Sequence, residues 1–147
     1  MKTNLPKGLI TPLEAKRLNQ QFLKTRSKEL NKIIEKLDNK PNKKDSLSSW
    51  FSLEELENYI AYVKEAGEKK GIDINGLRVY FGAYGKNIKN PAKNNFSTVF
   101  FVPTILKKQV NQKSVTTVVS DSSDVEGIDG LNFGGTGNPP SASYPQL

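Results

Sequence analysis

The chain has 147 residues, 35 % of them hydrophobic, and carries 22 Lys and Arg against 15 Asp and Glu, for a net charge of +7. It contains neither cysteine nor histidine. Disulfides and thiolate metal sites are therefore excluded, as are the commonest strong nucleophile and the usual general base near neutral pH. Hard, all-oxygen metal sites alone remain open.

The length suits one domain. Its first 45 residues carry twelve Lys and Arg against five Asp and Glu, so the whole net excess sits at the front. Such asymmetry points to an anionic partner for that end, or to basic and acidic ends that face one another. The opening MKTNLPKGLITPLE lacks the apolar stretch of a secretory signal, and no apolar run is long enough to span a bilayer. A soluble, cytoplasmic protein is the expectation.

The first element is a helix. Thr11-Pro12-Leu13-Glu14 places Thr at the N-cap, Pro at the first helical position and Glu three residues on, the pattern of a capping box. Leu18, Phe22, Leu23, Leu30, Ile33, Ile34 and Leu37 then recur. At 100° per residue they fall within an arc of roughly 160°. The helix should end at Asn39, before Pro41, after about 28 residues.

KPNKKDS, residues 40–46, reads as a polar connector. A second helix follows in SSWFSLEELENYIAYVKEAGEKKG, with Ser52 as N-cap, Glu55 at N3 and a staple between Phe51 and Leu56. Glu54, Glu55 and Glu57 suit its N-terminus, Lys69 and Lys70 its C-terminus, and Gly71 its left-handed cap. Leu53, Leu56, Ile60 and Val63 form the expected buried stripe, flanked by Tyr59, Tyr62 and Ala66.

The period then changes from helix to strand. In GLRVYFGAYG, residues 76–85, Leu77, Val79, Phe81 and Ala83 alternate with Arg78, Tyr80, Gly82 and Tyr84. Asn75-Gly76 offers a minor alternative, a tight hairpin between Ile72-Asp73-Ile74 and this strand. GKNIKNPAKNNF is too long for a tight turn and reads as a loop. STVFFVPTIL, residues 97–106, is apolar on both faces from Val99 to Val102, which predicts a covered strand with Pro103 at its end or on an edge. Val115-Thr116-Thr117-Val118-Val119 reads as a third, weaker strand. From Ser120 the chain is crowded with Gly, Ser, Pro and Asp, a composition that predicts loop or disorder.

The expected fold is α+β: two amphipathic helices on a small antiparallel sheet, with a Gly/Pro-rich C-terminal tail. Within one domain the segments are residues 1–45 (basic segment and long helix), 46–119 (helix and strands) and 120–147 (tail).

Four separated segments, SSWFSLEELENYIAYVKEAGEKKG, GLRVYFGAYG, STVFFVPT and GNPPSASYPQ, together with the LPKGLIT start, resemble a group of small bacterial proteins without a known function. The likeness covers most of the chain. It implies that the tail is part of the pattern; it implies no activity, ligand or catalytic residue.

No catalytic motif emerges. Glu54-Glu55-Glu57 is explained by its helix N-terminus. Asp121, Asp124, Glu126 and Asp129 lie in a stretch poorly suited to rigid positioning, and their spacing departs from the calcium-loop pattern. Gly134-Gly135-Thr136-Gly137 neither follows a clear strand nor opens a helix, so it does not read as a phosphate cradle. The chain reads as a non-enzyme with no cofactor and no metal.

Two surfaces remain for function. A protein-interaction or structural module would use the first helix and the tail, with Phe22, Leu30, Leu37, Phe133, Pro139, Pro140 and Tyr144 as contacts. Tail prolines restrict the backbone and lower the entropy lost on docking. The tail is expected to dock on its own domain, over an edge strand, or else on a neighbour. The alternative is an anionic partner, above all nucleic acid, held by Lys24, Arg26, Lys28 and Lys32 on the helix and by Arg78, Tyr80 and Tyr84 on one strand face. Membrane-surface binding is the weakest reading, because the basic helix carries a single aromatic, Phe22.

Overall fold

A computed structural model describes residues 4–87, 89–106, 122–132, 135, 137 and 139–147. The expected α+β arrangement is present: helices α1 (Pro12–Phe22), α2 (Lys28–Asp38) and α3 (Leu53–Lys70), and a sheet of β1 (Ile74–Ala83), β2 (Ser97–Leu106) and β3 (Ser122–Asp124). All pairings are antiparallel, in the order β1-β2-β3. The chain divides into two compact units. A helical unit comprises Met1–Ser48, Gly85–Phe96 and Thr136–Leu147; a sheet unit comprises Ser49–Tyr84 and Ser97–Gly135.

In the helical unit, α1 opens with the expected capping box. Thr11 Oγ1 accepts from the Glu14 amide at 3.2 Å, and the Glu14 carboxylate accepts from the Thr11 amide at 2.7 Å. Those bonds favour the ionised form and hold the Glu14 carboxyl below its ordinary pKa. The long helix is not a uniform α-helix. Leu23–Ser27 forms a π-helical turn between α1 and α2, where the Thr25 hydroxyl donates to the Gln21 carbonyl at 2.7 Å. A π turn holds more residues than an α turn, so it shifts the phase of every later helical position. The single arc expected for the apolar positions therefore fails. Ile34 is buried and Phe22, Leu23 and Leu30 are half-buried, but Leu18, Ile33 and Leu37 lie exposed. The helix ends as expected at Asn39, in the left-handed conformation at φ 49°.

Polar contacts hold the rest of this unit. Lys43 bonds the Asp38 carboxylate and stands 4.6 Å over the Phe96 ring, and Asn95 donates to the same carboxylate at 2.6 Å. First the Lys43 hydrogen bond, then that of Asn95, lowers the Asp38 pKa.

In the sheet unit, Ser52 accepts from the Glu55 amide at 3.0 Å and Gly71 closes α3 at φ 66°, both as the sequence predicts. The Phe51 ring meets Phe101 edge-on at 5.2 Å, so β2 supplies its aromatic neighbour. The buried face of α3 differs from the expected stripe. Tyr59, Val63 and Gly67 are buried, packed with Ile128 and against Ile74, Leu77, Phe101 and Leu131. Leu53 and Ile60 are left outside. Tyr59 wins the central place because its hydroxyl reaches polar partners inside the unit. It donates toward the carbonyls of Asp129 at 2.9 Å and Phe101 at 3.3 Å. Burial, then Tyr62 and Asp129, raises its pKa.

The chain does not turn back at Asn75-Gly76. Ile74 to Ala83 is one strand with a register shift between Ile74 and Gly76, and Tyr84 lies beyond its end. β2 spans the predicted residues, but Pro103 sits inside this central strand, opposite Leu77. Its carbonyl accepts from the Val125 amide at 3.0 Å. The missing N–H therefore faces the side on which β3 ends, and no ladder bond to β1 is lost. The third strand is Ser122–Asp124; the strand expected at Val115–Val119 lies outside the described residues.

Candidate interaction surfaces

Cross-strand partners share a face of an antiparallel sheet. Leu77, Val79 and Phe81 therefore lie on the same face as Pro103, Phe101 and Val99. This face carries α3, because Phe101 and Leu77 pack with Tyr59 and Val63. Its far end is open. Val79 is 49 % exposed and Phe81 91 % exposed, although both point to the helix-bearing side.

The helix leaves a matching strip uncovered. Leu53, Ile60 and Gly67 are seven residues apart and so form one stripe along α3. An added Cβ at Gly67 would meet Ile74 Cγ1 at 2.8 Å, which places this stripe on the β1 side of the helix. Its other members, Leu53 and Ile60, are 77 % and 41 % exposed. Leu53 and Ile60 on α3, and Val79 and Phe81 on β1, are thus exposed apolar residues on the helix-bearing side of the sheet.

The edge itself is unpaired among the described residues. Phe101 exchanges both backbone hydrogen bonds with Leu131, at 2.8 and 2.9 Å, on its β3 side. Its partner Val79 therefore occupies a non-hydrogen-bonded position of the β1-β2 ladder. By the same alternation the N–H and C=O groups of Leu77, Val79 and Phe81 face outward.

The opposite face brings Arg78 and Tyr80 together, as the alternation predicts, but with an acidic partner. Arg78 bonds the Asp124 carboxylate and donates to the Ser122 carbonyl at 2.9 Å, and the Tyr80 hydroxyl bonds the same carboxylate. Asp124, then Tyr80, raises the Arg78 pKa, and Asp124 raises that of Tyr80. Tyr80 stacks on Phe100 with centroids 5.4 Å apart. Tyr84 is not in this group; its hydroxyl bonds Asn132 Oδ1 at 2.6 Å. Among the described residues no three acidic side chains gather as metal ligands.

Lys24, Arg26, Lys28 and Lys32 are exposed on the long helix, with Lys32 bridged to Glu29 at 3.0 Å. The tail contacts residues of its own chain. Leu131 bridges to β2, extending its cover past β3. Farther on, Leu47 donates to the Pro140 carbonyl at 3.1 Å, and the Tyr144 amide donates to Asn19 Oδ1 at 3.0 Å. Pro140 is half-buried, while Pro139 and Tyr144 remain exposed. Phe133 lies outside the described residues.

The exposure of Leu53, Ile60, Val79 and Phe81 was not expected from the sequence. One signal in the sequence does mark the helix–strand approach: Gly67 continues the Leu53–Ile60 stripe where Ile72 and Ile74 pass close. No family model, curated protein or solved structure matches the chain. Among the described residues no helix is long and apolar enough to cross a membrane.

Proposed function

We propose that this chain is a non-enzymatic interaction module whose partner is a second copy of itself, joined along β1. The observation that carries this reading is Phe81, 91 % exposed in a strand whose outward backbone groups are unpaired among the described residues. A long apolar edge of this kind is a template for another strand.

Antiparallel pairing of two β1 strands about Tyr80 is self-complementary. It sets Val79 of each copy opposite Phe81 of the other, as a pair using the outward N–H and C=O groups. Both α3 helices then stand on one face, the face that also carries Val79 and Phe81. A buried aromatic removes on the order of 150–250 Å² from water. Two Phe81 rings, the flanking aliphatic side chains and two strand edges bring such a contact toward the roughly 1,200 Å² at which specific interfaces begin. Arg78 is neutralised by Asp124 on the other face, so its charge does not oppose the approach.

The test is mass in solution against concentration, at low and high salt. Dimers that persist in salt and become monomers in Phe81→Glu, with helix content unchanged, support the reading. A wild-type chain that stays monomeric at all concentrations sinks it. The anionic-partner reading rests on the exposed basic helix face and requires binding that salt abolishes.

A further inference from the structure

Within the helical unit, a cavity of about 270 Å³ is lined by Leu23, Ser27, Lys28, Asn31, Lys44, Asp45, Leu47, Ser141 and Ser143. We infer that it is a binding site for a small hydroxylated oxyanion, such as a short phosphorylated or carboxylated polyol.

Three remote segments build it, and hydrogen bonds pin each one. The π-helical turn and the start of α2 supply the first wall, from Leu23 to Asn31. Widened turns of this kind recur at functional sites, because they re-aim side chains that an α-helix would space differently. The segment around Lys44 to Leu47 supplies the second. It is held to the helix by the Asp45 amide donating to Asn31 Oδ1 at 2.8 Å, and to the tail by Leu47. The tail supplies the third. The turn from Pro139 to Ala142 closes with a 2.9 Å bond, and Tyr144 is tied to Asn19. A site fixed from three sides loses little ordering entropy on binding.

The lining chemistry selects the ligand. Lys28 and Lys44 offer two ammonium groups, and Ser27, Ser141 and Ser143 offer hydroxyl donors. One carboxylate, Asp45, stands among them and accepts from the Ser46 amide at 2.8 Å. Two cations against one anion leave the lining net positive, within a stretch of 45 residues that carries the chain's whole excess charge. Asp45 and the serines suit ligand hydroxyls, and Leu23 and Leu47 suit a carbon backbone. Two of the lining residues, Ser27 and Asp45, are buried, at 5 % and 3 % exposure. The volume of about 270 Å³ equals about nine water molecules at ~30 Å³ each, room for a ligand of a few carbons and one charged group. This site also gives the neutral tail a role: its serines complete the walls.

The test titrates the full chain with glycerol 3-phosphate and with inorganic phosphate at low salt, by calorimetry and amide chemical shifts. Saturable binding should result, with glycerol 3-phosphate the tighter probe and shifts centred on residues 23–31, 44–47 and 141–143. Lys28→Gln with Lys44→Gln should weaken it at least tenfold, and Ser141→Val severalfold. Lys24→Gln with Lys32→Gln, on the same helix outside the cavity, should leave it unchanged. Three results would overturn the assignment. These are no saturable binding of either probe, equal losses from the two lysine pairs, or a single-stranded oligonucleotide that binds tightly and displaces both probes.

Discussion

The two units are held together by different physics. The sheet unit has an apolar centre, with Tyr59, Val63 and Ile128 enclosed by strand and loop side chains. The helical unit buries Ile34 and Phe96, but alongside them Ser27, Asp45 and Ser46. Its segments are joined by capping, by the Lys43–Asp38–Asn95 group and by tail hydrogen bonds. Apolar packing offers no charge for pH to titrate or for dissolved ions to screen, whereas bonds to charged groups depend on both. The sheet unit, whose charged group of Arg78, Tyr80 and Asp124 stands outside its apolar centre, should therefore answer mainly to changes of volume, and the helical unit to changes of charge as well.

Three experiments sharpen this contrast, beginning with the largest effect. Ile34→Ala removes the one fully enclosed aliphatic side chain of the long helix and should cost about 3 kcal/mol, read from the denaturant midpoint. A loss well under 1 kcal/mol would mean that polar contacts alone hold that unit.

Gly67→Ala is next. Its new methyl would lie 2.8 Å from Ile74 Cγ1 and 2.9 Å from the Ile72 carbonyl oxygen, one a side chain and the other backbone. Overpacking of this kind should cost about 2 kcal/mol, against the small gain an alanine brings to an exposed helix position. A neutral or stabilising result would show that α3 stands farther from β1 than these distances require.

The smallest effect is a matter of pH. Asp38 has a lowered pKa, so the folded chain holds its proton less tightly than the unfolded chain does. Its contribution is complete above the unfolded value near 4 and is lost as pH falls through the lower folded value. Asp38→Asn should flatten the acid limb of a stability–pH curve below about pH 4. Val63→Ala, in the other unit, should lower the curve without changing its shape. Identical acid limbs in wild type and Asp38→Asn would remove Asp38 from the account.

The two units differ also in how much of them could be read in advance. Both capped helix starts, the left-handed ends at Asn39 and Gly71 and the span of β2 were legible, because each depends on residues adjacent in sequence. The rotation of α3 was not. Leu56 and Ile60 are as apolar as Val63, and nothing local makes Tyr59 the buried ring; the carbonyls of Phe101 and Asp129 do so from far along the chain. Likewise, strand alternation places Arg78 and Tyr80 on one face, but Asp124 stands 46 residues from Arg78 and no spacing rule connects them.

The sequence by itself determined the capped helix starts, the left-handed helix ends, the span of β2, and that neither imidazole nor thiol chemistry is available; it marked neither the π-helical turn at Leu23–Ser27 nor the short strand at Ser122–Asp124. Backbone preference and capping act over a few residues, so their signals survive in one dimension. Tertiary structure alone decided which apolar residues are covered and which charges are matched. It also decided that the uncharged tail is tied to the long helix through Tyr144 and Asn19, with Ser141 and Ser143 lining one cavity with Ser27 and Lys28. Those outcomes depend on which distant groups come within bonding distance, and composition carries no record of that.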